Sequence, residues 1–587
     1  MKQISLPCMV GLILFFLGCG GGTNSGPTGS LSLTLASSSA LVFTGGSTAT
    51  VNASVSLTGT SGSVTLSVAG LPAGASVQIQ SPGTGNSGSV TIDPGSAAAG
   101  TYTLTVTATS GQLSDSARLS LTVGAVAQIS PTTSGKFQLA MSTSFQPAEW
   151  DSQFFVNFPG ATTPLANLQD QHIRLQPVSQ GTPQKGDQTW DFSTLDAILD
   201  PVIGVGDKSP ELQLAQAPPW MNDINGHLTV AHYPDFATYA ANMVRYYNTA
   251  IGFQDPPGTW HVHSSFTPVT WWGIFNEPNI NGISNPQDYT DLYNMVVPAM
   301  QAVDPSIKFA AVELSDGYNN WEQTYFPTFV SQVKAQVDVV ATHFYSSCNQ
   351  KDPDLQLFGT IPGFASGVEY IYSQLQPNPK LANVPVWITE NNVNADFQGA
   401  NGMSMCNPNQ KFVTDTRGSS AFFAAWRPVI FSQLGKAGAQ ALYQWVFAGD
   451  AQYGEIDDST GNPRLSYWVD YWLEHMFPCP PGADLLDLTS SDNVDIEILP
   501  VRNPDNSVVV MVADYAVASA SDNNGPGAPR TISLDVSALG TFTSASLMTI
   551  DASTNVASGP TPASISPASP IQLTLNGYGV SFLKLQP

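Results

Sequence analysis

A chain of 587 residues is too long for one hydrophobic core and sets an expectation of three or four domains, with 42% hydrophobic residues to fill them. Charged residues make up only 11%, against about 25% in an average soluble protein, so uncharged polar side chains must supply most of the surface. The balance of 19 Lys+Arg against 44 Asp+Glu, formally −25, repels phosphate backbones and anionic lipid at long range, which argues against nucleic acid as a partner and against a polyanionic substrate outside a local basic pocket.

The chain opens with Lys2, an apolar run from Met9 to Leu17, and Gly18-Cys19, the layout of a secretion signal. That run is too short to cross a bilayer core, which needs about 20 residues. Phe16-Leu17-Gly18-Cys19 resembles a bacterial lipoprotein signal, which implies acylation of Cys19 and membrane contact only through that lipid anchor; plain cleavage and secretion is the alternative. Residues 20–30, rich in Gly, Ser and Thr, read as a flexible tether.

From 31 to 124 apolar residues alternate with Ser and Thr, as in Val51/Ala53/Val55/Leu57 and Tyr102/Leu104/Val106, which predicts an antiparallel β-sandwich. The stretches 70–77 and 99–108 resemble bacterial immunoglobulin-like modules. This segment has no Trp, so a spacer role is expected rather than sugar binding.

All 12 Trp and all 7 His fall between Trp150 and His475. Near-continuously apolar segments recur there at 137–142, 171–175, 211–216, 269–275, 307–314, 337–345, 384–389 and 441–447, separated by helical patterns such as 236–247 and 289–300. Strands buried on both faces with helices between them predict a parallel sheet, and eight of them predict a (β/α)₈ TIM barrel over 135–480. Alternation returns at 494–501, 507–515, 530–536, 570–575 and 579–585, which predicts a C-terminal β-sandwich over 484–587 that packs against the barrel.

Barrel sites form at the C-terminal ends of the strands. Glu277 follows TrpTrpGlyIlePheAsn and Glu390 follows ProValTrpIleThr, each after an apolar strand and among Trp and Asn. An unpaired carboxylate in such a place is unfavourable unless it has a use. Two carboxyl groups facing each other across a barrel mouth are what glycosidic cleavage needs, one to protonate the leaving oxygen and one to attack or to activate water.

With these motifs in hand, residues 135–480 resemble glycoside hydrolases of clan A, most closely family 39, the family of β-xylosidases and α-L-iduronidases. Asn276-Glu277-Pro278 matches the Asn-Glu-Pro motif at the end of strand four, and Glu390, 113 residues on, matches the strand-seven nucleophile. The resemblance implies a retaining glycosidase without a cofactor, acting on a plant or microbial carbohydrate through a covalent intermediate on Glu390, with Glu277 as acid/base. It also assigns substrate-binding or supporting roles. Asn276 would bond the sugar 2-hydroxyl, Arg174 would hold Glu390 ionised and its pKa low, and His343 would line the sugar site. Tyr345 would bond Glu390, and Trp445 would form a platform beneath the sugar ring. Glu277 would need a proton for the first step. An endo-acting exopolysaccharide glycosidase and a catalytically silent carbohydrate-binding surface lipoprotein are the alternatives.

No metal is expected. His261 and His263 have no third ligand at useful spacing and read as structural. Asp457-Asp458 reads as a capped turn rather than a calcium site. Export makes a disulfide between Cys348 and Cys406 an expectation, with Cys479 the third candidate, so the pairing stays open.

Overall fold

The computed structural model describes residues 29–145, 153–177, 182–186, 188–205, 210–264, 268–315 and 321–587. The signal segment with Cys8 and Cys19, and the tether up to residue 28, lie outside them. Among the described residues no helix is long and apolar enough to cross a membrane.

The chain forms two compact units, one comprising the chain up to Ala97 with Thr101–Thr122, the other Ala98–Gly100 with Val123–Pro587. The first is all β. An antiparallel sheet orders Ser30–Leu35, Ala49–Thr58, Ser87–Asp93 and Ser76–Gln80, while Thr65–Ala69 pairs with Gly100–Ser110. Val51, Ala53 and Val55 are buried while Asn52, Ser54 and Ser56 are exposed, the two-residue period that an open sheet face imposes.

In the second unit eight parallel strands close a barrel: β1 (Ala140–Phe145), β2 (Ile173–Leu175), β3 (Glu211–Leu214), β4 (Trp271–Ile274), β5 (Lys308–Ser315), β6 (Val339–Ser347), β7 (Val386–Asn394) and β8 (Ala441–Gln444), with β8 paired back to β1. Each is followed by a helix: α1 (Thr162–Leu168), α2 (Ser193–Gly204), α3 (Tyr233–Asn248), α4 (Pro286–Gln301), α5 (Trp321–Gln332), α6 (Asp354–Leu375), α7 (Ala421–Lys436) and α8 (Leu465–Met476). All nine residues of β7 are buried, as a strand enclosed by barrel interior and helices must be.

The first strand starts three residues later than its hydrophobic pattern suggests. Phe137 ends the preceding strand, Leu113–Phe137, and pairs with Ala483. From Ala125 onward that strand belongs to a nine-position sheet with Ala483–Ser490, Ile496–Arg502, Val508–Asp514, Arg530–Asp535, Ser544–Asp551, Ala563–Ile565, Ile571–Leu575 and Gly579–Gln586. The C-terminal sheet is therefore completed by residues that precede the barrel, and the expected boundary at 484 is crossed by strand pairing. Its strands read two cores: Val509, Met511 and Ala513 pack into the barrel's core while Val508, Val510 and Val512 pack into the sheet's own. Helix α7 lies between barrel and sheet and is buried along nearly its whole length. Contact there is close enough that a Cβ on Gly435 would fall 2.2 Å from the Phe137 ring.

The barrel interior is plugged by Trp271, Trp387 and Tyr443 with Ala310, Val339 and Ala441, side chains from five strands. In contact with this plug lies a polar layer unusual for a barrel core: Arg174, Glu211, Gln213 and Glu313 are all fully buried. The Tyr443 hydroxyl donates to Glu211 Oε2 at 3.0 Å and so joins the two layers.

Candidate active site

The ladder of the barrel slips where β5, β6 and β7 reach the mouth. Register shifts fall between Val312 and Leu314, between Thr342 and His343, and between Ile388 and Asn391. An extra residue in a strand re-aims the side chains around it. Those re-aimed here include Glu313, His343 and Glu390. Left-handed backbone concentrates at the same level, with φ of +66° at Phe275, +46° at Glu277, +81° at Val312 and +48° at Glu313. For Val312, a β-branched residue, that conformation is unfavourable and persists only where neighbours impose it. They do: Tyr289 Oη accepts from Val312 N at 2.7 Å and donates to Ile274 O at 3.1 Å, and Glu277 N donates to Glu313 O at 2.9 Å.

These bends bring the two predicted carboxylates together. Glu277 and Glu390 each present an oxygen which, with Nδ1 of His343, lies within 4.8 Å of the others. The Glu277 side chain is 17% exposed and that of Glu390 only 6%, so Glu277 is the more open to solvent. Glu390 is held at both oxygens: Arg174 Nη1 donates to Oε1 at 2.9 Å and Tyr345 Oη to Oε2 at 2.8 Å. Behind it, Asn391 is locked from two sides, its Nδ2 donating to Phe344 O and its Oδ1 accepting from Arg427, whose guanidinium grips Asp470 with two bonds. Asn276 Oδ1 accepts from Arg174 Nη2 at 2.8 Å, which leaves Nδ2 as the end of that amide able to donate to a ligand. Trp445 packs with Val446, Tyr453 and Tyr345, and Tyr453 is fixed by its hydroxyl's bond to Asp396 O.

Two sequence expectations need correction. His343 does not line an open sugar site; it is fully buried beneath the carboxylates, with Nδ1 3.0 Å from Glu277 Oε1 and 3.5 Å from Glu390 Oε2, and Nε2 3.2 Å from Glu313 Oε2. Nor is the Glu390 carboxyl held low. Burial raises its pKa, and His343, Arg174 and the Tyr345 bond only partly offset that and the repulsion from Glu277.

Two further acidic residues reach the site from within the apolar strands, where the sequence pattern gives them no role beyond the strand itself. Glu313 Oε2 gathers Thr389 Oγ1 at 2.6 Å, Arg174 Nη2 at 3.2 Å and His343 Nε2 at 3.2 Å. Burial alone would raise its pKa, but Arg174 and His343 hold it below the ordinary carboxylate value. Glu211, 3.8 Å from Arg174 Nε, is pushed up to about 8, first by burial and then by Glu313. Glu211 Oε1 and Glu313 Oε1 are buried without a conventional donor, and a proton shared between the two carboxyls satisfies both. The signal that could have found them is a charged residue inside a strand buried on both faces.

Burial works against a charge on His343, yet Glu390, Glu277 and Glu313 outweigh it and raise its pKa to about 9. The Glu277, His343 and Glu390 atoms lie near enough together for an ion, and in the structure both ring nitrogens of His343 face carboxylates, Nδ1 that of Glu277 and Nε2 that of Glu313. The discounted groups are engaged elsewhere. His261 pairs with Asp255 at 2.9 Å and His263 with Asp200 at 2.8 Å, while Asp457 Oδ1 caps its own turn through Ser459 and Thr460. Cys348 and Cys406 form a disulfide with Cα atoms 5.8 Å apart, tying the loop after β6 to that after β7, and Cys479 is free.

The family model for the glycosyl hydrolase catalytic core matches residues 261–417, the span that carries Asn276, Glu277, Glu313, His343, Tyr345 and Glu390. A beta-xylosidase of Geobacillus stearothermophilus is 30% identical over 114 residues, 19% of this chain, and the match spans about a fifth (20%) of that relative's length. Among solved structures, a monomeric beta-xylosidase from Caulobacter crescentus CB15 aligns over 79% of this chain and 99% of its own, with a TM-score of 0.53 at 16% identity. The GH51 arabinofuranosidase from Xanthomonas axonopodis pv. citri aligns over 79% and 100%, with a TM-score of 0.55 at 12% identity. At such identities the structural likeness speaks for the fold alone, and the family match locates the likeness to a glycosyl hydrolase catalytic core in residues 261–417, the part of the barrel that holds β4 to β7.

Proposed function

We propose that the protein is a retaining glycoside hydrolase, with Glu390 as nucleophile and Glu277 as acid/base. The observation that carries this is the approach of the two carboxylates, with oxygens of each inside a 4.8 Å set. Retaining enzymes keep their carboxyl groups about 5–5.5 Å apart, whereas inverting enzymes leave room for a water at about 6.5–9.5 Å.

In the first step Glu277 gives its proton to the glycosidic oxygen as that oxygen leaves, and a Glu390 oxygen bonds to the anomeric carbon to give a glycosyl ester. In the second, Glu277, now a carboxylate, takes a proton from water as the water attacks that carbon and frees Glu390. Arg174 and Tyr345 orient the nucleophile. Their bonds stabilise the carboxylate as a leaving group in the second step. Asn276 Nδ2 is the donor for a hydroxyl beside the anomeric carbon, and Trp445 supplies an apolar ring for a sugar face. The substrate class that fits is a plant or microbial oligo- or polysaccharide, β-xyloside-like by analogy with the relatives, acted on outside the cell by an exported and lipid-anchored protein with an immunoglobulin-like spacer.

Purified protein assayed on a panel of aryl β-glycosides and xylo-oligosaccharides tests this. Glu390→Gln and Glu277→Gln are expected to lower kcat at least about 10²–10⁴-fold. The first-formed product should keep the anomeric configuration by proton NMR. A variant as active as wild type, or an inverted product, overturns the assignment.

A further inference from the structure

The reaction above uses Glu277 and Glu390 and does not account for Glu313, a third carboxylate buried completely beneath them. Its backbone is left-handed, with φ +48°, and it follows Val312 at φ +81° beside a register shift, so several unfavourable features converge to aim this one side chain inward. A counter-ion for Arg174 alone would not require this, since Arg174 already meets Glu390 at 2.9 Å. What only Glu313 supplies is an acceptor on the far nitrogen of His343, at 3.2 Å.

We infer that Glu313 is a positioning residue for the proposed reaction: its carboxylate holds His343 as an imidazolium whose Nδ1–H is directed at Oε1 of Glu277, so that the proton Glu277 transfers sits on Oε2. The argument is one of donors and acceptors. A neutral imidazole carries one N–H and one lone pair, so with its N–H on Glu313 it would draw the acid proton of Glu277 onto the Oε1 side in the first step and would face the Glu277 carboxylate with a lone pair in the second. A doubly protonated ring satisfies both contacts, at 3.0 Å and 3.2 Å. With Oε1 of Glu277 occupied as an acceptor, Oε2 is left to carry the acid proton, and in the second step the same N–H bond orients the carboxylate that deprotonates water. Around the ring the charged and titratable groups are Glu277 from the end of β4, Glu313 from β5, Glu390 from β7 and Tyr345 from its own strand. Arg174 from β2 and Glu211 from β3 lie behind Glu313, Glu211 in turn bonded by Tyr443 of β8. Thr389 Oγ1 donates to Glu313 and carries no charge.

This inference rests on the glycosidase reading, and its test separates the two. In full-length protein labelled with ¹⁵N-histidine, long-range ¹H–¹⁵N spectra should show one imidazole of the seven, identified by its loss in His343→Gln, still doubly protonated above pH 8. In Glu313→Gln that ring should titrate at least about one unit lower. The alkaline limb of kcat/KM should move down with it, with kcat reduced roughly tenfold or more and KM changed less than about threefold. Glu313→Asp should restore part of the limb. Should Glu313→Gln fail to fold, the wild-type titration decides: a His343 that titrates near the ordinary value, about 6.5, overturns the inference. A folded Glu313→Gln whose alkaline limb is unmoved overturns it as well. Wild-type protein that cleaves no glycoside, with His343 still an imidazolium at pH 8, sinks the functional reading and leaves the His343–Glu313 pair standing.

Discussion

Of the three fully buried arginines among the described residues, Arg417 and Arg174 each meet more than one carboxylate, and these two are built to opposite rules. Arg417 meets Asp415 through Nε and Nη2 and Asp354 through Nη1, and those acids are otherwise satisfied: Asp354 accepts from Asn524 N and Gly525 N at 2.8 Å each, and Asp415 from Asn394. Arg174 sits among Glu211, Glu313 and Glu390, and there Arg174 Nε, Glu211 Oε1 and Glu313 Oε1 are all left without conventional partners. One cluster closes its hydrogen bonds and fastens the barrel to the C-terminal sheet. In the other the surplus acid leaves buried oxygens of Glu211 and Glu313 without a donor, which a shared proton relieves. A fully satisfied network fixes a structure, whereas an acid-rich one keeps protons ready at neutral pH.

The largest effect that separates them is expected at Arg417. Arg417→Leu leaves Asp354 and Asp415 buried without their cation, and breaking such a pair costs about 3–5 kcal/mol of folding stability. Denaturant titration should show that loss, while kcat per folded molecule, counted by active-site titration, should stay within about tenfold of wild type. A fall in kcat that outruns the fall in folded protein would mean that the Arg417 cluster also tunes the mouth, and the division of labour would collapse.

A smaller effect with the opposite signature is expected at Tyr345. Its hydroxyl donates to Glu390 Oε2 at 2.8 Å, a bond to a charged group worth about 1.5–3 kcal/mol. Tyr345→Phe should lower kcat roughly 10–100-fold and leave the unfolding midpoint nearly unchanged. If stability falls instead while kcat holds, the tyrosine belongs with the packing of Trp445 and Tyr453 and not with the nucleophile.

The strand pattern of the sequence locates the barrel because enclosed parallel strands leave a local mark, a run of apolar residues of fixed length. It also points to Glu277 and Glu390, which end such runs. Phe137 shows where local pattern fails: its apolar neighbours fit a barrel strand, but pairing with Ala483, distant in sequence, claims it for the other sheet. His343 shows a second limit. Its place on β6 is legible, but whether its ring faces the mouth or lies under it depends on a register shift between strands that sequence periodicity does not encode. Glu211 and Glu313 were hidden because both lie inside apolar strands whose inward and outward faces cannot be told apart until the barrel is closed. The Arg417 cluster was missed for the same reason, since its partners come from α6, from the end of the β7 loop and from the C-terminal sheet domain.

The last effect, read from a slope rather than from a loss, concerns the proton between Glu211 and Glu313. An unfolded Glu211 releases its proton near 4.5, and in the fold it keeps it to about 8, so between those values the native state binds more protons than the unfolded one. The stability this group contributes is complete below about 4.5 and is lost as pH rises through 8. His343, raised from 6.5 to about 9, acts in the same direction over the upper part of the range. Glu474 and Asp514, each pushed up to about 8 by burial elsewhere, add slopes of the same sign, so the wild-type curve alone does not isolate the cluster. The difference between wild type and Glu211→Gln does. An amide at this position donates to Glu313 Oε1 as the shared proton does and cannot ionise. Melting curves from pH 5 to 9 should therefore fall less steeply for Glu211→Gln than for wild type, with the gap opening mainly below pH 8. Parallel curves would mean that Glu211 is ionised beside Glu313 throughout. The cluster around Arg174 would then have to be held by hydrogen-bond donors alone, as the Arg417 cluster is, and the distinction between the two arginines would be one of place and not of kind.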